Sequence, residues 1–247
     1  MNNNWDDECR RTRAILSAAL FLLLAAPVAA RADPFYLRYD ADEVYPEDAG
    51  WERHTTDPYG LLVRDLDSGN FTSDSRASPY ISDFYRRDLG DLGPDPGEIV
   101  TVTWRMRVPW ADASDYEADP AVLISNGSSE YVQFFVGMDF VAVNEDGLLG
   151  PEHLYEFEPR QWRTFSFVSA DLEHCELYVD GAFAFTGQFS RHYIGGPNRV
   201  SFGDTFIGFA SLSEWDYLEV AVAPEAASAP LVLTAMAFCV HLRRRGS

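Results

Sequence analysis

The sequence predicts an all-β protein built as an antiparallel two-sheet sandwich, and three features carry that prediction. Apolar and polar residues alternate along several short runs, Asp-Gly and Asn-Gly dipeptides punctuate them, and no window between the two ends of the 247-residue chain carries an apolar stripe of helical period.

The clearest run is IVTVTWRMRV (99–108). Val100, Val102, Trp104, Met106 and Val108 fall on one face and Thr101, Thr103, Arg105 and Arg107 on the other, the pattern of a half-buried strand. Further strands are expected at 121–125, 130–137, 139–144, 161–168, 175–180, 182–187, 199–204 and 216–222. Asp180-Gly181 joins two alternating segments and asks for a type I′ turn, whose two central residues both need positive φ. Asn126-Gly127 and Asp146-Gly147 mark two more turns.

The ends of the chain differ from this middle. Residues 1–32 carry Arg10, Arg11 and Arg13, an apolar run over 14–30 and small residues around Ala30-Arg31-Ala32, which reads as a secretory signal peptide, with a retained anchor as the alternative. Residues 223–247 form a second distinct segment. Its apolar part, 226–242, would extend about 25 Å as a helix, short of a bilayer core of roughly 30 Å. Arg243, Arg244 and Arg245 follow at once, where the positive-inside tendency would hold them in the cytoplasm. The sandwich is therefore expected over 33–222.

Composition narrows the function classes. The chain has no lysine and a formal charge of −20, which argues against binding nucleic acid through its phosphates. Calcium and neutral sugars remain suitable ligands. With Cys9 and Cys239 in the end segments, the middle keeps only Cys175, so no disulfide is expected inside the sandwich and Cys175 reads as a buried structural thiol.

A Trp-bearing strand (QWRTFSF, 161–167), a hairpin reading CELYVDGAFAFTG (175–187) and a final WDYLEV strand (215–220) together resemble the concanavalin A-like, laminin-G-like jelly-roll family. YPEDAGWER (45–53) and FGD (202–204) extend the resemblance over roughly 34–222. It implies a jelly roll; the expected function is glycan binding, with an extracellular polysaccharide as partner, and the alternative is a structural surface protein without a ligand. At the C-terminus, Pro224-Glu225, the apolar segment and the cluster Arg243, Arg244, Arg245 resemble the PEP-CTERM sorting signal, with Ala226 where that family usually has a second proline. That resemblance implies an exosortase-type processing enzyme, a cell-envelope or extracellular destination and membrane contact before processing. A simple tail anchor is the alternative.

Three groups of residues are candidates for chemistry. EWDYLE (214–219) resembles the Glu-x-Asp-x-x-Glu motif of laminarinase-type glycosidases, which work with two carboxylates. In a regular strand Glu214 and Asp216 share a face while Glu219 points to the other, and only a bulge reunites them. The motif also sits on the last strand rather than mid-chain as in that family, so a non-catalytic protein is expected. Asp139, Asn144 and Asp146 cluster around one expected hairpin and offer the hard oxygen ligands calcium prefers, although Asn-Glu-Asp-Gly is also an ordinary turn. Trp110, Tyr116 and Tyr193 fall in expected loops beside Asp, Asn and Arg, where exposed rings suit the flat faces of sugars or pack against the loops themselves. The five histidines are scattered and point to no zinc site.

Overall fold

The computed structural model describes residues 35–41, 44–57, 59–66, 69–77, 80–90, 98–112, 120–127, 130–144, 153–189, 198–204 and 210–224, with the side chains of Asn144 and Pro224 left aside. The expected signal peptide, Glu225 and the rest of the tail lie outside these residues.

Fifteen strands form two antiparallel sheets. In chain order they are β1 (Phe35–Asp40), β2 (Glu52–Thr55), β3 (Val63–Asp65), β4 (Phe71–Asp74), β5 (Asp83–Gly90), β6 (Glu98–Ala111), β7 (Ala121–Asn126), β8 (Tyr131–Val136), β9 (Phe140–Asn144), β10 (Leu154–Glu156), β11 (Arg163–Ser169), β12 (His174–Val179), β13 (Ala182–Gln188), β14 (Asn198–Asp204) and β15 (Ser211–Pro224). The first sheet runs β13-β12-β11-β6-β15-β4-β3, with β1 also pairing β15; the second runs β10-β9-β8-β7-β14-β5-β2.

The alternation of β6 works as expected. Val100, Val102, Trp104, Met106 and Val108 are buried between the sheets, while Thr101, Thr103, Arg105 and Arg107 are partly exposed on the outer face. Trp104, Phe165, Phe167 and Trp215 from the first sheet meet Tyr85, Ile124, Phe134 and Phe202 from the second. Phe202 and Trp215 bring their ring centroids to 4.9 Å across the core, and Trp104 and Phe134 to 5.8 Å. Each such side chain contributes on the order of 2–3 kcal/mol by leaving water. Cys175 is buried, and the Asp180-Gly181 turn has φ of 50° and 79°, as a type I′ turn requires.

Strands β6 and β15 are each 14 residues long and pair along their whole length, yet their register shifts twice. Between the pairs Glu214↔Arg107 and Leu212↔Trp110, β6 carries one extra residue; between Trp215↔Met106 and Tyr217↔Arg105, β15 carries one. The two bulges cancel. Pro109 sits at the first, where a strand tolerates a residue that cannot donate to the ladder.

Candidate functional site

The bulge in β15 decides where the carboxylates point. A regular strand would separate Glu219 from Glu214, but the extra residue at Asp216 turns Trp215 and Leu218 both inward and leaves Glu214, Asp216 and Glu219 on the outer face. Each acid there meets an arginine. Arg107 donates to Glu214 Oε2 at 2.6 Å through Nη2 and 2.7 Å through Nε, Arg105 donates to Asp216, and Arg38 donates to Glu219 Oε2 at 3.1 Å beside the Tyr36 hydroxyl at 3.0 Å. The same guanidinium groups cover the neighbouring rings. Arg105 and Arg107 lie 5.2 and 5.1 Å from the centre of Trp162, and Arg38 lies 4.6 Å from that of Tyr217. Carboxylates and rings in this lattice already satisfy one another.

At the end of the sheet where β6 finishes, the outer face changes character. Cross-strand register sets Trp110, Leu212, Asp74 and Val63 in one row over β6, β15, β4 and β3. Leu61, two residues before Val63 in the loop entering β3, is also exposed. Trp110 was expected in a loop; it lies instead in β6 just past the bulge, where Ala111 turns into the core and the indole turns out. Exposure is 37 % for Trp110, 58 % for Val63, 82 % for Tyr59 and 73 % for Tyr80, high values for large side chains. Here Arg76 Nη2 pairs with Asp74 Oδ2 at 2.6 Å.

Tyr59 and Tyr80 stand on the two loops that cross from sheet to sheet at this end. The Asp57 carboxylate accepts the backbone N–H groups of Tyr59, Leu61 and Leu62 at 3.2, 3.0 and 2.9 Å, which folds the first loop around it. Thr56 N–H donates to Ser82 O at 2.9 Å and Ser82 N–H to Thr56 Oγ1 at 2.9 Å, binding the loops to each other. Beneath them lies a polar network. Arg53 Nε donates to the buried Asp83 Oδ1 at 2.6 Å, Tyr85 Oη to Asp83 Oδ2 at 3.1 Å, Arg64 Nη1 to Tyr85 Oη at 2.9 Å, and the same Nη1 to Glu47 Oε1 at 2.5 Å. Burial pushes the Asp83 carboxyl above its ordinary range despite Arg53 and Tyr85. Asp204, also buried, faces Asp83 across the β14–β5 pair.

The opposite end of the first sheet carries a cavity of about 750 Å³, lined among others by Ile99, Val168, Asp171, His174, Glu176 and Thr186. Asp171, Glu173 and His174 are exposed at its mouth and bring one ligand atom each within 4.8 Å of the others. The sequence reasoning missed this group; DLEH (171–174) was its only signal. Turn chemistry accounts for it. Asp171 Oδ1 accepts the N–H groups of Glu173 and His174 at 2.9 and 2.8 Å, and Oδ2 lies 3.1 Å from His174 Nδ1. Desolvation opposes the Asp171 charge, but these bonds outweigh it and hold the carboxyl down at about 2.

Of the expected calcium ligands, Asp139 is exposed just before β9 and Asn144 is the last residue of that strand. Asp146, Tyr116, Tyr193, Glu225, Arg243, Arg244 and Arg245 lie outside the described residues, and Pro224 closes β15. Among the described residues no helix is long and apolar enough to cross a membrane.

No protein-family model matches the chain, and no curated protein matches it in sequence. Solved structures do match its shape. A carbohydrate esterase from the Shiga toxin-encoding bacteriophage phi24B superposes with a TM-score of 0.55 at 13 % identity, covering 76 % of this chain and 97 % of its own. The cellulose induced protein Cip1 superposes with a TM-score of 0.50 at 12 % identity, covering 76 % and 96 %. At such identities the likeness is one of fold, and it agrees with the jelly-roll sandwich expected from the sequence.

Proposed function

We propose that this chain is an exported cell-envelope or extracellular-matrix protein that binds glycan through the aromatic end of its first sheet and does no chemistry on it. The observation that carries this reading is the cross-strand row of Trp110, Leu212, Asp74 and Val63, an open surface on which a sugar face can stack. Support of a second kind comes from the phage protein, a carbohydrate esterase by name, and from Cip1, described as cellulose induced. A glycan array run with and without calcium tests it. Binding is expected in both conditions, because the aromatic row includes none of the candidate calcium ligands Asp139, Asn144 and Asp146, and Trp110→Ala should weaken it about tenfold. An array without hits contradicts the reading.

One observation favours a second reading, glycoside hydrolysis. The β15 bulge gathers Glu214, Asp216 and Glu219 on one face, as a two-carboxylate mechanism needs. Cleavage of a β-glucan that Glu214→Gln abolishes without unfolding the protein would establish it. Export rests on the two end segments of the sequence. In an exosortase-containing host, mass spectrometry should find a C-terminus near residues 224–226, whereas recovery of chains ending at Ser247 points to the simple anchor.

A further inference from the structure

We infer that the ligand of the aromatic end is an uncharged, extended polysaccharide, laid across the strands along the Trp110–Val63 row and gripped at the rim by Tyr59 and Tyr80. This rests on the glycan-binding reading and adds the class of glycan, its direction on the sheet and two residues that hold it.

Direction follows from the register. From Trp110 on β6 to Val63 on β3 the row crosses three strand spacings, roughly 14 Å, so a run of several linked pyranose rings lies along it rather than a single sugar. The surface is open and offers ring faces and aliphatic groups, which match the C–H faces of pyranoses.

Charge selects the class. Asp74 in the row is neutralised by Arg76, so among the described residues the row presents no free cation to attract a polyanion. The chain as a whole carries −20, which repels anionic polysaccharides and anionic lipid surfaces and also opposes a second copy docking on the same patch. Tyrosines suit a hydroxylated ligand, since the ring stacks while the phenol keeps its hydrogen bonds to water or to sugar hydroxyls. The backbone of Tyr59 is already held by Asp57, and Tyr80 lies two residues from Ser82, which is bonded to Thr56.

Affinity electrophoresis of the purified full chain tests this, with hydroxyethyl cellulose and glucomannan as uncharged probes and alginate and hyaluronan as polyanions. Retardation is expected with the uncharged probes only, unchanged between low and high salt. Tyr59→Ala and Tyr80→Ala should each weaken it about three- to tenfold while leaving the melting temperature in place. Three results overturn the inference but leave the glycan reading standing: retardation by the polyanions that collapses with salt, insensitivity to both tyrosine variants while Trp110→Ala abolishes binding, or binding that tracks single sugars as well as chains. Retardation by no probe, together with a dimer in sedimentation that Tyr59→Ala dissociates, overturns the inference and the glycan reading together.

Discussion

The two ends of the first sheet are built from the same long strands, yet they differ in what they leave open. At the end where β6 begins, apolar and polar side chains together line a cavity, and Asp171 spends its oxygens on its own turn. At the end where β6 finishes, Trp110 and Val63 face water in a row with the paired Asp74, and a charged network lies underneath, around the buried Asp83. Between them the carboxylates of β15 and the arginines of β6 cancel one another. Exposed charge that is already satisfied offers little to a ligand, whereas an apolar row held on a rigid base gains by being covered. On that contrast we propose binding at the aromatic end.

The largest expected effect concerns the base of that end. Asp83→Ala leaves Arg53 without its carboxylate and Tyr85 Oη without an acceptor, and should lower stability by about 3 kcal/mol in denaturant unfolding. The equivalent change at the exposed Asp171 should cost far less, and equal costs would erase the distinction between the ends. Gly203 beside Asp83 comes next. A Cβ there, at φ 124°, would meet Asp83 O at 2.6 Å and Phe84 Cα at 3.0 Å, so Gly203→Ala should cost about 2 kcal/mol. Gly181, with open space around it, is constrained by its positive φ alone, and Gly181→Ala should cost about 1 kcal/mol.

The smallest effect is one of sign. Asp83 has a raised carboxyl pKa, so its contribution is present below the ordinary value of 3.8 and is lost as pH rises through the folded value. Asp171 is held down at about 2, so its contribution is present above 3.8 and is lost as pH falls toward 2. Melting temperatures of wild type against Asp83→Asn and Asp171→Asn, followed across the acid range, should therefore diverge in opposite directions. Parallel profiles would mean that both carboxylates sit in equivalent surroundings.

How far the sequence could be read depended on which residues the strands turn inward. β6 and β11 to β13 were legible because apolar side chains alternate with polar ones. β2, β3 and β5 were not, because the inward positions of ERHT, VRD and DFYRRDLG include Arg53, Arg64 and Asp83, which are satisfied by one another and carry no hydrophobic signal. The β15 bulge was foreseen only as a condition. Its cause lies in the partner strand, where the extra residue beside Pro109 must be cancelled for the two strands to finish together. Trp110 was legible as an exposed ring, but its neighbours in the row come from three other strands that only register brings beside it. Tyr59 and Tyr80 were missed because a loop tyrosine in a sequence gives no sign of what braces the loop.

Hydrogen exchange read by mass spectrometry, with and without a cello-oligosaccharide, tests the central claim most directly. Added oligosaccharide should slow exchange over residues 59–63, 74–82 and 110–112 and leave 168–176 and 214–219 unchanged. Protection at 168–176 would move binding to the cavity, protection at 214–219 would move it to the carboxylates, and either would contradict the assignment of binding to the aromatic end.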